Sequence, residues 1–296
     1  MALPVTDNLA QTEPAEATLP FWARSHFRMR RSALALYIPL GALILLVVAC
    51  FFGPWILHLP PASFANIANS NLPLGSPGHL LGTDQLGNDM LSRTLVGGRV
   101  SMVVGFGATL VGFVIGTSIG VVAGYFGGAV ETVLMRILDM VLAFPSLILA
   151  MTLVVFLGPS ERNEIIAISF FAIPNYARLS RAATLKIRER EYVLVGRVIG
   201  AGPRHIMIRH VFSNVLPSLL TIVPLTVAVA MIIEATLSFL GLGVRPPTPS
   251  WGNMIAQGQA TMSIAPQDII IPAVGLFLTV LFLNLTAEQW RLRISQ

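Results

Sequence analysis

The chain has 296 residues, of which 54% are hydrophobic and 11% charged, against roughly 45–50% and about 25% in soluble domains. No Asp, Glu, Lys or Arg occurs between Arg31 and Asp84, between Arg99 and Glu131, or between Asp139 and Glu161, and about 20 apolar residues cross a bilayer core about 30 Å thick as a helix. These numbers exclude an ordinary soluble domain and leave no room for a large soluble catalytic one, and the net charge of +5 reads as membrane orientation rather than nucleic-acid binding.

Residues 1–32 are polar, with Pro4, Pro14 and Pro20, and end in the cluster Arg24, Arg28, Arg30 and Arg31. They predict a loose cytoplasmic tail. The apolar run from Ala33 to about Leu57 exceeds the roughly 7–15 residues of a signal-peptide core and predicts an uncleaved span. Cys50 lies inside it and, as the single cysteine, forms no internal disulfide. Further spans are expected at about Val100–Tyr125, Thr132–Leu157, Glu164–Ala177, Val215–Leu240 and Ile269–Ala287. The expected fold is an all-α integral membrane protein with six transmembrane helices. Its parts are the tail 1–32, the first helix with an external loop over 33–96, a five-helix core over 97–288 and a cytoplasmic tail over 289–296.

Cytoplasmic N and C termini put residues 58–99, 158–163 and 241–268 outside, which basic charge can test. Outside lie Arg93, Arg99, Arg162 and Arg245. Inside lie the four tail arginines, Arg136, the loop residues Arg178, Arg181, Lys186, Arg188, Arg190, Arg197, Arg204 and Arg209, then Arg291 and Arg293. Fifteen inside against four outside supports this orientation.

Gly112, Gly116, Gly120 and Gly124 recur at a spacing of four on the second span. Small residues so placed let helix backbones approach in lipid, where no hydrophobic drive exists between helices. An ionisable group inside a span is a functional candidate, because burying charge in lipid is costly. Glu234 stands out first and Asp139 second; for Asp139 a helical pair with Arg136, three residues away, is the favoured structural explanation. For Glu234 a structural partner and a pathway role stay open.

Several chemistries are excluded. A nucleotide-binding loop requires lysine after glycine, and the sole lysine, Lys186, follows Leu185. This chain therefore binds no ATP by such a loop and has no expected cofactor or metal of its own. No H-E-x-x-H or paired-cysteine pattern occurs, and His26, His58, His79, His205 and His210 lie outside the expected spans. Gly116-Thr117-Ser118-Ile119-Gly120 matches the serine-nucleophile pattern, but that chemistry needs a sharp strand-to-helix turn, and here the pentapeptide falls mid-helix.

The basic loop over about 178–217 is the most informative segment. Tyr192, Val195 and Ile199 fall on one helical face while Glu189, Arg190 and Arg197 are polar, predicting a short amphipathic helix. Gly200 and Gly202 end it and Pro203 opens another turn. Such a helix suits lipid headgroups or a soluble partner's groove.

Glu191-Tyr192-Val193, Gly200-Ala201, Arg209-His210-Val211 and Asn214-Val215-Leu216-Pro217 resemble the cytoplasmic signature loop of permease subunits in ATP-binding cassette importers of dipeptides and oligopeptides. Gly82-Thr83-Asp84-Gln85-Leu86-Gly87-Asn88-Asp89, Leu134 to Asp139 with Ala143-Phe144-Pro145, Glu234 to Gly241, and Pro249-Ser250-Trp251-Gly252 agree in order, so the resemblance extends from about residue 28 to 288. The external loop with its Gly-Thr-Asp block resembles the C-type member of the two permeases.

The resemblance implies a type I importer permease fold in a bacterial inner membrane. It also implies a second, B-type permease, two ATPase subunits that bind ATP and Mg, and an external substrate-binding protein. Glu191, Tyr192, Val195, Gly196, Arg197, Gly200, Ala201 and Gly202 would then contact the ATPase as a coupling helix. The family's Glu-Ala-Ala triplet stands here as Leu194-Val195-Gly196, its later Leu-Pro pair as Phe212-Ser213, and Asn88 replaces an arginine. Permeases for nickel, glutathione or glycosidic solutes are also similar. A self-sufficient secondary transporter would usually show paired charges or broken helices at mid-membrane, and an intramembrane hydrolase would depend on Ser118.

Overall fold

The computed structural model describes residues 21–294, and side chains from Leu36 to Arg293 except that of Arg197. Among the described residues the chain is helical, with two isolated bridges, Ser76 to His79 and Thr83 to Asp89, in place of strands. The first helix, α1 (Phe21–Ile56), begins inside the segment expected to be an irregular tail. Residues 21–32 contain no Pro or Gly after Pro20, so nothing in them stops a helix. Residues 1–20 of that expected tail lie outside the described residues.

A structured loop with one turn of 3-10 helix at Ile67–Asn69 leads to α2 (Met90–Phe126). That helix starts about ten residues before the expected span, so Arg93 and Arg99 belong to its first turns rather than to a loop. The signal is a cap: the Asp89 carboxylate accepts from the Ser92 amide at 2.8 Å, satisfying an N–H that the helix leaves free. At the other end Gly127 adopts φ +67° and closes the helix.

The expected third span is two helices, α3 (Gly128–Leu142) and α4 (Ser146–Leu157), bent by 85°. Pro145 has no N–H to continue the ladder and pushes Phe144 away from helical geometry. Next comes α5 (Glu161–Arg188), twice as long as the short fourth span that apolarity alone delimits. It is followed by α6 (Glu191–Val198), α7 (Pro203–His205), a π-helical stretch Ile206–Phe212 and α8 (Ser213–Leu220). The basic loop is thus mostly helix. The expected fifth span divides into α8 and α9 (Val223–Phe239), the joined 203–220 segment meeting α9 at 57° just ahead of Pro224. The short α10 (Trp251–Gly258) and the long α11 (Gln267–Ile294) complete the chain.

Three helices, Leu36–Ile56, Met90–Phe126 and Gln267–Arg293, are long and apolar enough to cross a membrane, and the two bent pairs bring the number to five. The one expected crossing left over, the fourth, corresponds to α5, which is too polar to qualify by composition. It nevertheless packs along the length of α2. A β-carbon on Gly112, Gly116, Gly120 or Gly124 would run into Ala172, Ile173 and Tyr176, Ala177 and Ser180, and Thr184, respectively. The partners rise with the glycines, so α2 and α5 run parallel. Absence of side chains on one face of α2 is what permits this approach.

Three apolar clusters hold the bundle. Around Trp251, α1, α2, α9, α10 and α11 meet through Cys50, Met102, Met231 and Leu283. A second joins α2, α4, α5 and α9 through Val104, Val154, Ile168 and Leu237. The third lies at the other end, where Val121 and Tyr125 of α2 meet Val193, Ile206, Val211 and Leu219. We call this the inner end and the end carrying residues 57–89 the outer end.

Candidate functional site: the helix at the inner end

Two buried side chains fix α6. Val193 is fully buried, Ile206 from the π-helical stretch is fully buried too, and both belong to the apolar cluster at this end. The helix stops in a defined way. Gly200 sits at φ +84° and the Ala201 amide donates to the Gly196 carbonyl at 3.0 Å, the six-to-one bond of a Schellman cap, which needs a left-handed residue at Gly200. Pro203 then opens α7, where its missing N–H has no cost.

The expected amphipathic face is turned away from the bundle. Tyr192, Val195 and Ile199 do not pack inward; Val195 and Ile199 are 58% and 77% exposed, and Val198 is 87% exposed. The inward side is Val193 with Gly196, a narrower row that the sequence period does not single out because glycine carries no apolar signal. Apolar residues are therefore presented outward from the inner end of the protein. Tyr192 is half-exposed, its ring 6.2 Å from that of His210, and Glu191, Gly200 and Gly202 are exposed while Ala201 is partly buried. Arg197 lies on this helix, but its side chain is outside the described residues.

Asp139 pairs with Arg178 of α5 at 2.6 Å, both about half exposed, and not with Arg136 as the sequence spacing suggested. Glu131 and Arg181 form a second ion pair between α3 and α5. Both link α3 to α5. Glu234 is fully buried on α9; its Oε1 accepts from Ser238 at 2.9 Å, and its Oε2 has no partner. Glu164 of α5, at the edge of the expected fourth span, is equally buried, with both carboxyl oxygens unpartnered. Ser118 is exposed on continuous α2, its hydroxyl donating to the Val114 carbonyl at 2.7 Å, so it occupies no strand-to-helix turn. Among the described residues no group of three His, Cys, Asp or Glu could hold a metal ion.

Residues 116–295 match the family of binding-protein-dependent transport system inner membrane components. The glutathione transport system permease protein GsiD of Pectobacterium atrosepticum is 37% identical over 273 residues, which are 92% of this chain and 88% of that protein. GsiD of Escherichia coli O157:H7 is 37% identical over 97% of this chain and 94% of that one. The chain belongs to this family.

The permease is thus a multi-pass membrane component of an ATP-binding cassette importer, and its relatives are permease subunits rather than enzymes. A chain of the inward-facing MetNI methionine ABC transporter superposes with a TM-score of 0.57 over 67% of the permease and 94% of that chain. At 19% identity the likeness shows the fold alone. The matched family region begins in the middle of α2 and includes α6, so the outward-facing row on α6 belongs to the shared part of the permease.

Proposed function

We propose that the chain forms half of a solute pathway through a bacterial inner membrane, together with a second permease, and that α6 transmits the closure of separate ATPase subunits to the bundle. The observation that carries this reading is the outward row Tyr192, Val195, Val198 and Ile199 on a helix pinned from behind by Val193 and Ile206. An exposed apolar row on a rigidly held short helix is what an amphipathic helix-in-groove contact needs, and push on α6 reaches α2 and α5 directly through Val121, Tyr125 and Ile187. The parallel α2–α5 pair would then move as one body. On this reading α5 crosses the membrane despite its polarity, shielded along one side by α2, and six crossings leave both termini inside.

ATP and Mg would be bound by the partner ATPases, and an external binding protein would deliver the solute. For cargo we propose short peptides, with glutathione the first solute to test, because the GsiD relatives are named for its transport. The test is uptake by inverted and right-side-out vesicles containing the assembled transporter, with labelled glutathione, a dipeptide and a pentapeptide. Uptake that requires ATP on the inner side and one of these solutes supports the proposal. ATP-independent uptake by this chain alone would contradict it.

A further inference from the structure

At the outer end a cavity of about 360 Å³ opens between the 84–93 segment and the corner of α10 and α11. Its size is within the range of small-ligand pockets, roughly 300–1,000 Å³. Leu86, Met90, Met254 and Ala260 give it apolar walls, and its polar groups are Asp84, Arg93, Gln85, Gln257 and Asp268.

Most of these polar groups are already occupied. Asp84 accepts from the Leu86 and Asn88 amides, each at 2.9 Å, and from the Asn88 side chain. Its Oδ2 also pairs with Arg93 Nε at 3.2 Å. Arg93, only 5% exposed, donates its other two nitrogens to the Ala62 carbonyl and the Gln257 Oε1, at 3.3 and 3.1 Å. Gln85 donates to the Gln257 backbone carbonyl at 2.7 Å, which leaves its own side-chain carbonyl as an acceptor. Asp268, 3% exposed, accepts from Thr261 through Oδ2 at 3.0 Å, while its Oδ1 is buried with no partner.

Two carboxylates therefore stand against one guanidinium, and the unsatisfied atoms are acceptors. A buried acceptor left without a donor is costly, and an uncompensated carboxylate in a low-dielectric wall favours a cationic neighbour. A hard divalent cation needs about six oxygen ligands, and Asp84 has both oxygens committed. An anion would face the excess of carboxylate. What remains is a monovalent donor on a slim apolar stem.

We infer that this outer cavity binds a primary ammonium group carried on a short aliphatic chain, with the Gln85 side-chain carbonyl as its acceptor and the Asp268 carboxylate in the wall as its counter-charge. The ammonium has two sources, a lysine of an external protein seated on this face or a free amine solute. The site stands on this chain's own residues and does not depend on which solute is transported.

The probe is n-butylammonium, titrated calorimetrically into the full chain in detergent, with n-butanol as the uncharged control. The chain binds the amine and not the alcohol, and Asp268→Asn, which keeps the shape and removes the charge, weakens the amine at least tenfold. Ala260→Leu, which narrows the cavity without touching Asp268, also abolishes binding, and it decides the matter if the Asp268 variant does not fold. Wild-type chain that ignores the amine, binds the alcohol equally, or keeps its amine affinity in both variants overturns the inference. Acetylating the lysines of the transporter's binding protein identifies the source. Weaker docking onto wild type but not onto Asp268→Asn indicates a partner lysine, and unchanged docking indicates a free amine. Because this titration needs no ATPase or uptake, its failure is distinct from failure of the importer proposal.

Discussion

Gly120 of α2 lies so close to Ser180 of α5 that a β-carbon on the glycine would overlap the serine hydroxyl. Ser180 itself is fully buried and donates to the Tyr176 carbonyl at 2.7 Å, so it cannot move aside without losing that bond. The two helices are thereby held parallel at backbone distance.

Gly120→Leu should separate α2 from α5. Overpacking typically costs about 1–3 kcal/mol and more where the obstacle is backbone, and here the Ala177 carbonyl is part of the obstacle. Thermal unfolding in detergent should show a clear fall in midpoint or loss of folded chain. Gly41→Leu is the control, because nothing lies within 4 Å of its β-carbon position; an equal fall there would contradict the packing account.

Removal of the Ser238 hydroxyl should destabilise the bundle although no apolar contact is lost. The Ser238 hydroxyl donates to the buried Glu234 Oε1 at 2.9 Å, and orphaning a buried polar atom costs roughly 1–3 kcal/mol. Ser238→Ala should therefore unfold at lower temperature than wild type, and Glu234→Gln, which keeps an acceptor, should unfold close to wild type. Reversal of that order would show that the hydroxyl is not what holds Glu234.

The half-exposed Arg178–Asp139 pair should matter little to stability. Exposed pairs contribute about 0–1 kcal/mol, so Asp139→Asn should leave the unfolding midpoint nearly unchanged. A large drop would mean that the bend between α3 and α4 depends on this contact.

The sequence made the membrane character, the long helices α1, α2 and α11 and the glycine row legible, because each rests on a repeated local signal. Polar α5 is longer than its apolar stretch predicts, since that stretch ends well before the helix does and the glycines that shelter it sit on another helix. The bends at Pro145 and near Pro224 carried a local signal that span length overrode. At the candidate site the existence of α6 and its end at Gly200 followed from period and glycine. Its inward anchor did not, because Val193 packs in one cluster with Ile206, thirteen positions away, and with residues of other helices. Asp139 found Arg178 rather than Arg136 for the same reason, tertiary packing having offered a partner that spacing could not reveal. The outer cavity depends on the 84–93 segment, with Asp84 and Arg93, meeting Asp268 at the start of α11, which no pattern along the chain announces.

Val193→Ala and Val195→Asp should act differently on α6. The first removes a buried anchor and should make the 189–202 segment more sensitive to limited proteolysis, losing roughly 1 kcal/mol of local packing. The second changes an exposed residue, should leave proteolysis unchanged, and should weaken recovery of the ATPase subunits. Equal protease sensitivity in both would remove the distinction between anchor and contact.

The most direct test of the account is ATPase activity of the assembled transporter with three chains: wild type, Gly200→Asn and Gly200→Val. The space around Gly200 is open, so only its left-handed backbone at φ +84° discriminates among them, and Asn tolerates that region where a β-branched residue does not. The account predicts that solute-stimulated ATPase is kept in Gly200→Asn and lost in Gly200→Val, with the chain folded in both. Full stimulation in Gly200→Val, with normal recovery of the ATPase subunits, would contradict the assignment of α6 as the coupling element.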